Sequence, residues 1–293
     1  MGSMSATMLE KFVSVGSHPP IWVDSLDYCQ ARILNDGSVP WQTPAELADL
    51  LGKADDMFAS DAALIDIGRA YDELTSTRPS VLADMGARSR PGYALRTMLG
   101  DASLRKVLLA AVAAVSAVAA RSHRRTVLSM PSPAQWLHAT QSLVTDRAAD
   151  DTVADASQVE TAAMFVADLL RGLASTSIDG IVLDEGERTT QGVVSLEAYR
   201  PVLNVAANYG WSVIHRSDTD PCWRRPKVHG VAASLGCVAP EAGTSKPWAV
   251  VEELSESMAL TSHLGAPVVV VVPREADPRD AMHWTARLRS ELT

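Results

Sequence analysis

The sequence predicts an α/β protein with the architecture of a (β/α)8, TIM-like barrel. Apolar segments without alternation, such as 181–183 and 268–272, indicate strands of a parallel sheet that is covered on both faces. Helical patterns separate these segments, and polar residues follow several strands at their carboxyl ends, where barrels place their sites. An open doubly wound sheet fits the same periodicity, so the pattern alone leaves both arrangements open.

Strands are predicted wherever a short apolar or β-branched run stops at a turn residue or a polar side chain. These runs are 13–15, 62–67, 80–84, 126–130, 181–185, 211–214, 231–235 and 268–272. About seven of these runs can be strands of a barrel. We therefore expect one strand unit, around 217–228, to be shortened or lost.

Helices are predicted from periodicity and from their start signals. Thr43 precedes Pro44 and lies three residues before Glu46, which is a typical N-terminal cap for a helix that reaches Met57. Further helices are expected at about 102–121, from 134, and at 157–173, 195–208, 248–263 and 278–291. The apolar stretch 107–120 is too short to span a bilayer and is flanked by basic residues, so it indicates a buried helix.

Composition narrows the class of protein. The chain has 293 residues, 47% of them hydrophobic and 21% charged, which suits one globular domain over 5–293. Residues 1–4 resemble a cloning remnant. A net charge of −9 argues against binding to nucleic acid, and no segment predicts a membrane span. Cys29, Cys222 and Cys237 form no disulfide framework, which favours a reducing, cytoplasmic location.

The polar residues at strand ends are the candidate site. Asp184 and Glu185 follow the 181–183 run, and His215 follows 212–214; a histidine there can bind a metal or act as an acid or base. The plainer alternatives are solvated loop carboxylates and a capping or core histidine. Arg69 follows 62–67, and its side chain would project into the same end of the barrel as these residues. A guanidinium there can bind a carboxylate or phosphate group of a substrate. A structural ion pair of Arg69 with Asp184 or Glu185 is equally compatible.

Common catalytic and metal motifs are missing from the sequence. No GxGxxG follows a strand, and there is no P-loop, HExxH or GxSxG. The side chains of His215, Cys222, His229 and Cys237 can all bind zinc, but their spacing matches no compact zinc module.

Several strand ends, taken in order, resemble the catalytic barrel of cobalamin-independent methionine synthase and its relatives, which include uroporphyrinogen decarboxylase and the coenzyme M alkyltransferases. The segments that carry the resemblance span nearly the whole chain. They are 15–19 (the family's I-G-S-F-P turn), 63–69 (its H-G-E strand), 127–133 (T-G-P-x-T), 181–185 (I-D-E-P), 211–217 (H-x-C) and 268–273 with the helix that follows.

The resemblance implies a barrel whose site lies at the carboxyl ends of the strands. In the family, the H-x-C pair with a later Glu and Cys holds zinc. Here His215 matches the histidine, but Ser217 stands where the family has cysteine. Arg69 replaces the glutamate that binds the substrate's amino group, whereas Asp184 matches the other amino-binding acid. The resemblance thus implies a divergent member that lacks most of the zinc ligands.

We therefore expect a zinc-independent alkyl (methyl) transferase, or an acid/base lyase, acting on a small anionic substrate. The expected catalytic residues are His215, Asp184 and Glu185, and the expected substrate-binding residues are Arg69, Gly16, Ser17, His18 and Ser217. No metal ligand is predicted. A folate is the methyl donor that this hypothesis allows.

Two alternatives stay open. One is a non-catalytic barrel or subunit that binds a folate-like ligand, a protein partner or a second copy of the chain. The other is a zinc-dependent thiol alkyltransferase with relocated ligands, in which Cys222 or Cys237 joins His215.

Overall fold

Eight parallel strands form one sheet in the computed structural model, which describes residues 20–144, 154–186, 196–217, 233–236, 248–253 and 268–292. Their order in the sheet is β1-β8-β7-β6-β5-β4-β3-β2. The strands are β1 (Ile21–Asp24), β2 (Ala62–Asp66), β3 (Arg125–Pro131), β4 (Gly180–Asp184), β5 (Ser212–Arg216), β6 (Ala233–Gly236), β7 (Trp248–Glu253) and β8 (Val268–Val271).

The sheet curls back on itself, because its two end strands, β1 and β2, contact each other. At this seam the backbone of Ile21 accepts a hydrogen bond from Asp61 N (2.8 Å) and donates one to the Asp61 carboxylate (2.8 Å). Val23 N donates to Ser60 Oγ at 3.1 Å. The predicted (β/α)8, TIM-like barrel is therefore confirmed.

Helices surround the strands. They are α1 (Pro44–Met57), α2 (Ile67–Ser76), α3 (Pro79–Met85), α4 (Tyr93–Gly100), α5 (Ala102–Arg121), α6 (Pro133–Val144), α7 (Ala156–Leu173), α8 (Arg200–Tyr209) and α9 (Pro278–Leu292), with a helical turn at Leu26–Tyr28 that continues into Cys29–Ile33 and a 3-10 turn at Leu196–Tyr199. The helix predicted at the Thr43–Pro44 cap has the expected bounds. By length and composition α5 alone among the described helices is apolar enough to cross a membrane, and one side of it is buried in the core.

Two sequence predictions of secondary structure are wrong, and one strand was missed. The segment 80–84 is helical because Pro79 occupies the first turn of α3, where its fixed φ favours a helix. Residues 248–253 are strand β7, because a short apolar run fits a buried strand as well as a helix. The first barrel strand is 21–24, which the sequence patterns missed. The run predicted at 13–15 lies outside the described residues.

The expected loss of a strand unit is also corrected. All eight positions of the sheet are filled, and β6, with four residues, pairs with both β5 and β7. Residues 218–232, where the loss was expected, lie outside the described ranges.

Two apolar clusters show which side chains of the strands point outward and which point into the barrel. Ile65, Leu128 and Leu183 point outward into a large cluster shared with the helices. An inner cluster fills the barrel itself and consists of Trp22, Ala62, Val127, Val182, Ile214 and Val269. Since side chains alternate along a strand, residues at even steps from this inner cluster also face the inside of the barrel.

Candidate active site at the barrel mouth

Five polar residues follow the inner cluster toward the carboxyl ends of their strands. Counting in steps of two places Asp24 after Trp22, Asp66 after Ala62 and Leu64, and Asp184 after Val182. All five are partly accessible, whereas outward-facing neighbours such as Ile65, Leu183 and His215 are buried. We call this set the mouth residues: Asp24, Asp66, Ser129, Asp184 and Arg216.

Asp66 has the most perturbed electrostatics of the mouth residues. Burial raises the pKa of its carboxyl to about 7, and the negative charges of Asp24 and Asp184 push it the same way. The backbone N–H of Arg69 opposes the shift by donating to Asp66 Oδ1 at 2.9 Å, a bond that also caps α2. A carboxyl of this kind exchanges a proton near neutral pH.

Asp24 and Asp184 complete the group of carboxyls. Burial raises the pKa of Asp24, against the opposing effects of the Leu26 backbone and the Arg216 charge. Asp184 pairs with Arg216 at 3.2 Å and accepts a hydrogen bond from Gly186 N at 2.8 Å. The mouth residues thus combine three carboxyls with one guanidinium.

Glu185 and His215 face the opposite way from Asp184 and Arg216, because directly adjacent residues of an extended chain alternate in direction: Glu185 follows Asp184, and His215 precedes Arg216. His215 is fully buried, and its Nε2 lies 2.8 Å from Glu185 Oε1. Tyr199 donates to the same oxygen at 2.7 Å, and Ser132 donates to Glu185 Oε2 at 2.7 Å. We call these four residues the helix-side network.

The helix-side network holds an ionised carboxylate. Burial raises the pKa of Glu185, but hydrogen bonds from His215, Tyr199 and Ser132 outweigh it, so that the pKa lies below its usual range. A carboxylate only accepts hydrogen bonds, so His215 Nε2 carries the donated proton. Ser132 Oγ also accepts from Gln135 N at 3.1 Å, which ties β4 and β5 to the start of α6.

Arg69 lies in the first turn of α2 at the rim of the mouth. Its guanidinium donates to Glu73 at 2.6 Å and to Asp27 at 2.8 Å, and it also contacts Gln30. The ion pair expected with Asp184 or Glu185 is therefore replaced by pairs with Asp27 and Glu73. The guanidinium of Arg216 binds Asp184 instead.

Gly68 lets α2 approach the end of β3. A Cβ built on Gly68 would lie 2.6 Å from Pro131 Cδ and 3.2 Å from Asp66 Oδ1. A side chain there would push on the carboxyl that has the raised pKa.

The other predicted site residues divide into two groups. Ser217 follows β5 and is buried, with 5% of its surface exposed. Gly16, Ser17, His18, Cys222, His229 and Cys237 lie outside the described residues. Within the described ranges, no group of three His, Cys, Asp or Glu side chains is arranged to hold a metal ion.

Four of the five mouth residues were missed as site residues in the sequence: Asp24, Asp66, Ser129 and Arg216. The signal was present, because β1, β2 and β4 all end in an apolar residue followed by Asp: Val-Asp, Ile-Asp and Leu-Asp. Only the third was noticed, since Glu185 follows it. In a parallel barrel the three aspartates meet at one end.

Comparisons with known proteins add little to this geometry. No protein-family model matches the chain, and no curated protein matches it. One similar solved structure is an α-L-fucosidase AlfC fucosyltransferase mutant, with a TM-score of 0.47, 8% identity and 99% coverage of both chains. Another is described as a phosphonomutase from Burkholderia cenocepacia, with a TM-score of 0.41, 10% identity, and coverage of 98% of this chain and 99% of the other. Because the scores and identities are this low, the barrel assignment rests on the sheet order.

Proposed function

We propose that this chain is a barrel enzyme that transfers protons to and from a small polar substrate at the mouth residues. The observation that carries the proposal is the meeting of Asp24, Asp66 and Asp184 inside the barrel mouth. Asp66 is partly accessible there, and burial raises the pKa of its carboxyl to about 7. General acids and bases work best when their pKa lies near the operating pH. An acid/base lyase step is the reaction class that this group supports best.

Asp184 and Arg216 have a different role in this proposal. Their ion pair at 3.2 Å fixes a carboxylate and a guanidinium at the mouth, and the charge of Asp184 acts on Asp66. An oriented pair of this kind binds polar substrate groups and stabilises charge that develops during proton transfer. The negative charge of Asp24 makes ionisation of Asp66 less favourable, and so helps to keep Asp66 protonated below neutral pH.

The charges of the mouth residues change the expected charge of the substrate. The anionic substrate was inferred from Arg69, whose guanidinium is bound by Asp27 and Glu73. Three carboxyls and one arginine favour a neutral or cationic substrate group over an anion. An amino compound fits this charge, as the retained Asp184 of the methionine synthase-like pattern also implies.

The relationship to the methionine synthase-like barrels remains part of this proposal. The arrangement supports a divergent, zinc-independent member, because His215, the one matching ligand, is fully buried and bound to Glu185 on the helix side. In this position His215 and Glu185 act as positioning residues for their neighbours Arg216 and Asp184. Alkyl transfer is the second reaction class, since a base near neutral pH also activates an acceptor.

A substrate screen with matched variants tests the proposal. Purified protein is incubated with pools of small amino and hydroxy compounds, and turnover is followed by mass spectrometry for the wild type, Asp66→Asn and Asp55→Asn. Asn caps a helix as well as Asp does, so Asp66→Asn removes the proton-transfer group but keeps the cap. Asp55 is buried in α1 with a pKa also of about 7, which makes it the matched control.

The expected result is a substrate whose turnover falls about 100-fold or more in Asp66→Asn and is retained in Asp55→Asn. Equal turnover in all three proteins would remove Asp66 from the chemistry. The absence of turnover in every pool, with one compound bound and unchanged, would favour the non-catalytic barrel.

A further inference from the structure

A second polar concavity lies outside the barrel, between the loop after α3, the start of α4, and α7. Arg88 and Arg90 belong to the loop, and Arg96 follows one turn into α4. Tyr93 and Phe165 supply the aromatic surface. We call this set of three arginines and two aromatic residues the arginine groove.

The groove has the dimensions of a small-molecule site. It comprises two adjoining cavities of about 330 and 590 Å³, which share Arg88, Tyr93, Arg96 and Phe165. Binding sites for small molecules fall in this range of volume. The loop that forms one wall ends at Gly92, whose φ of +76° favours glycine, so the turn into α4 is built into the sequence.

The charge of the groove is opposite to that of the chain. The lining of the first cavity contains Arg88, Arg90 and Arg96 but no Asp or Glu, although the whole chain carries a net charge of −9. Across the described part of the chain, none of these three guanidinium groups forms an ion pair with a carboxylate. The second cavity also has two acidic residues in its lining, and both are paired. Asp168 binds Arg105 at 2.7 Å, and Asp101 lies 3.9 Å from Arg78.

The aromatic residues limit where an anion can sit. Arg88 lies over the Tyr93 ring, with its Cζ 5.2 Å from the ring centroid, so the planar guanidinium is held while its N–H groups remain available. Ser157 and Thr161 of α7 line the opposite wall and add hydroxyl groups. The guanidinium group of an arginine can donate two parallel hydrogen bonds to the oxygens of a phosphate group.

We propose that the arginine groove binds a small molecule that carries two linked or neighbouring phosphate groups. A single carboxylate carries one negative charge and pairs with one guanidinium group. Three exposed guanidinium groups in one cavity can instead balance the charge of a pyrophosphate. The partly exposed side chain of Phe165 offers a surface for the apolar part of the ligand. The groove and the barrel mouth are separate sites, because α4 and α7 lie on the outer side of the barrel.

Calorimetric titration with inorganic pyrophosphate tests this site at fixed physiological ionic strength, with inorganic phosphate and sulfate as comparison anions. The proteins are the wild type, the Arg88→Gln/Arg96→Gln double variant and Arg171→Gln. Arg171 is an exposed arginine on α7 outside the groove, so its variant controls for the loss of positive charge. Thermal unfolding of the unliganded proteins checks that all are folded.

We expect pyrophosphate to bind the wild type and Arg171→Gln equally and more tightly than phosphate or sulfate. The double variant should bind it at least about tenfold more weakly. Three outcomes would overturn the proposal: no pyrophosphate binding to the wild type, equal binding of pyrophosphate to all three proteins, or phosphate or sulfate binding as tightly as pyrophosphate.

Discussion

Asp184 and Glu185 are neighbours in the sequence but belong to two different polar regions. Asp184 faces the inside of the barrel, is partly accessible and pairs with Arg216. Glu185 faces the helices and accepts hydrogen bonds from three buried partners. Strand alternation separates the two, and it does the same for His215 and Arg216. The mouth residues are therefore suited to chemistry, whereas the helix-side network is suited to holding β4, β5 and α6 together.

The first prediction concerns activity at the mouth. Asp184→Asn breaks the pair with Arg216 and removes a negative charge beside Asp66, so we expect turnover to fall by about 100-fold. Both side chains of the pair keep about a quarter of their surface exposed, so water screens their attraction. The loss of folding stability should therefore be about 1 kcal/mol. Steady-state kinetics and urea unfolding measure the two effects. A stability loss larger than that of Glu185→Gln would break the distinction between the two regions.

The second prediction concerns the helix-side network. Glu185→Gln leaves His215, Tyr199 and Ser132 without their shared carboxylate and should cost roughly 1–3 kcal/mol of folding stability. The exposed Glu160→Gln on α7 is the control and should lie within about 0.5 kcal/mol of the wild type.

The pH dependence sharpens this second prediction. The pKa of Glu185 is lower in the folded protein than its usual 4.5, so its stabilisation is present above that pH and is lost as the pH falls further. The difference between the wild type and Glu185→Gln should therefore narrow in acid. Urea unfolding from pH 7 to about pH 3 measures it, because the loss falls below pH 4.5. A difference that grows toward low pH contradicts the assignment.

The third prediction uses the contact between α2 and β3. Gly68→Ala forces a Cβ to within 2.6 Å of Pro131 Cδ, and we expect a loss of about 1–3 kcal/mol. Gly100→Ala is the matched control, because nothing lies within 4 Å of its built Cβ. Replacing that helical glycine should stabilise the protein by up to about 1 kcal/mol. Thermal unfolding that shows the same sign for both variants would refute the close approach.

How much of this could be predicted from the sequence differs between the fold and the site. Continuous apolar runs and capped helices were sufficient for a parallel sheet covered by helices on both faces, because such burial leaves a clear pattern. They did not separate a closed barrel from an open doubly wound sheet, which needed the contacts between β1 and β2. The short strand 21–24 and the run at 248–253 were missed or misassigned, since a few apolar residues do not distinguish strand from helix. The separation of Asp184 from Glu185 needed the register of β4, which fixes which of them faces the inner cluster.

The fourth prediction compares two carboxyls with the same raised pKa. Burial raises the pKa of Asp55 from 3.8 to about 7, so the folded state holds its proton more tightly than the unfolded state does. The contribution of Asp55 to stability should therefore be most favourable below about pH 4 and should fall until about pH 7. Asp55→Asn should remove part of this slope and stabilise the protein at pH 8 by roughly 1–3 kcal/mol. An unchanged slope would place the titrating group elsewhere.

The protonation of Asp66 is the most direct test of the mouth as a chemical site, and it needs no substrate. Carboxyl ¹³C NMR of the protein labelled at aspartate, with Asp66→Asn used to assign the signal, gives its titration curve. The account predicts a midpoint of about 7 in the wild type and a lower one in Asp184→Asn, where a repulsive charge is removed. A midpoint near the usual 3.8, unchanged in Asp184→Asn, would show that Asp66 is an ordinary helix cap and contradict the account.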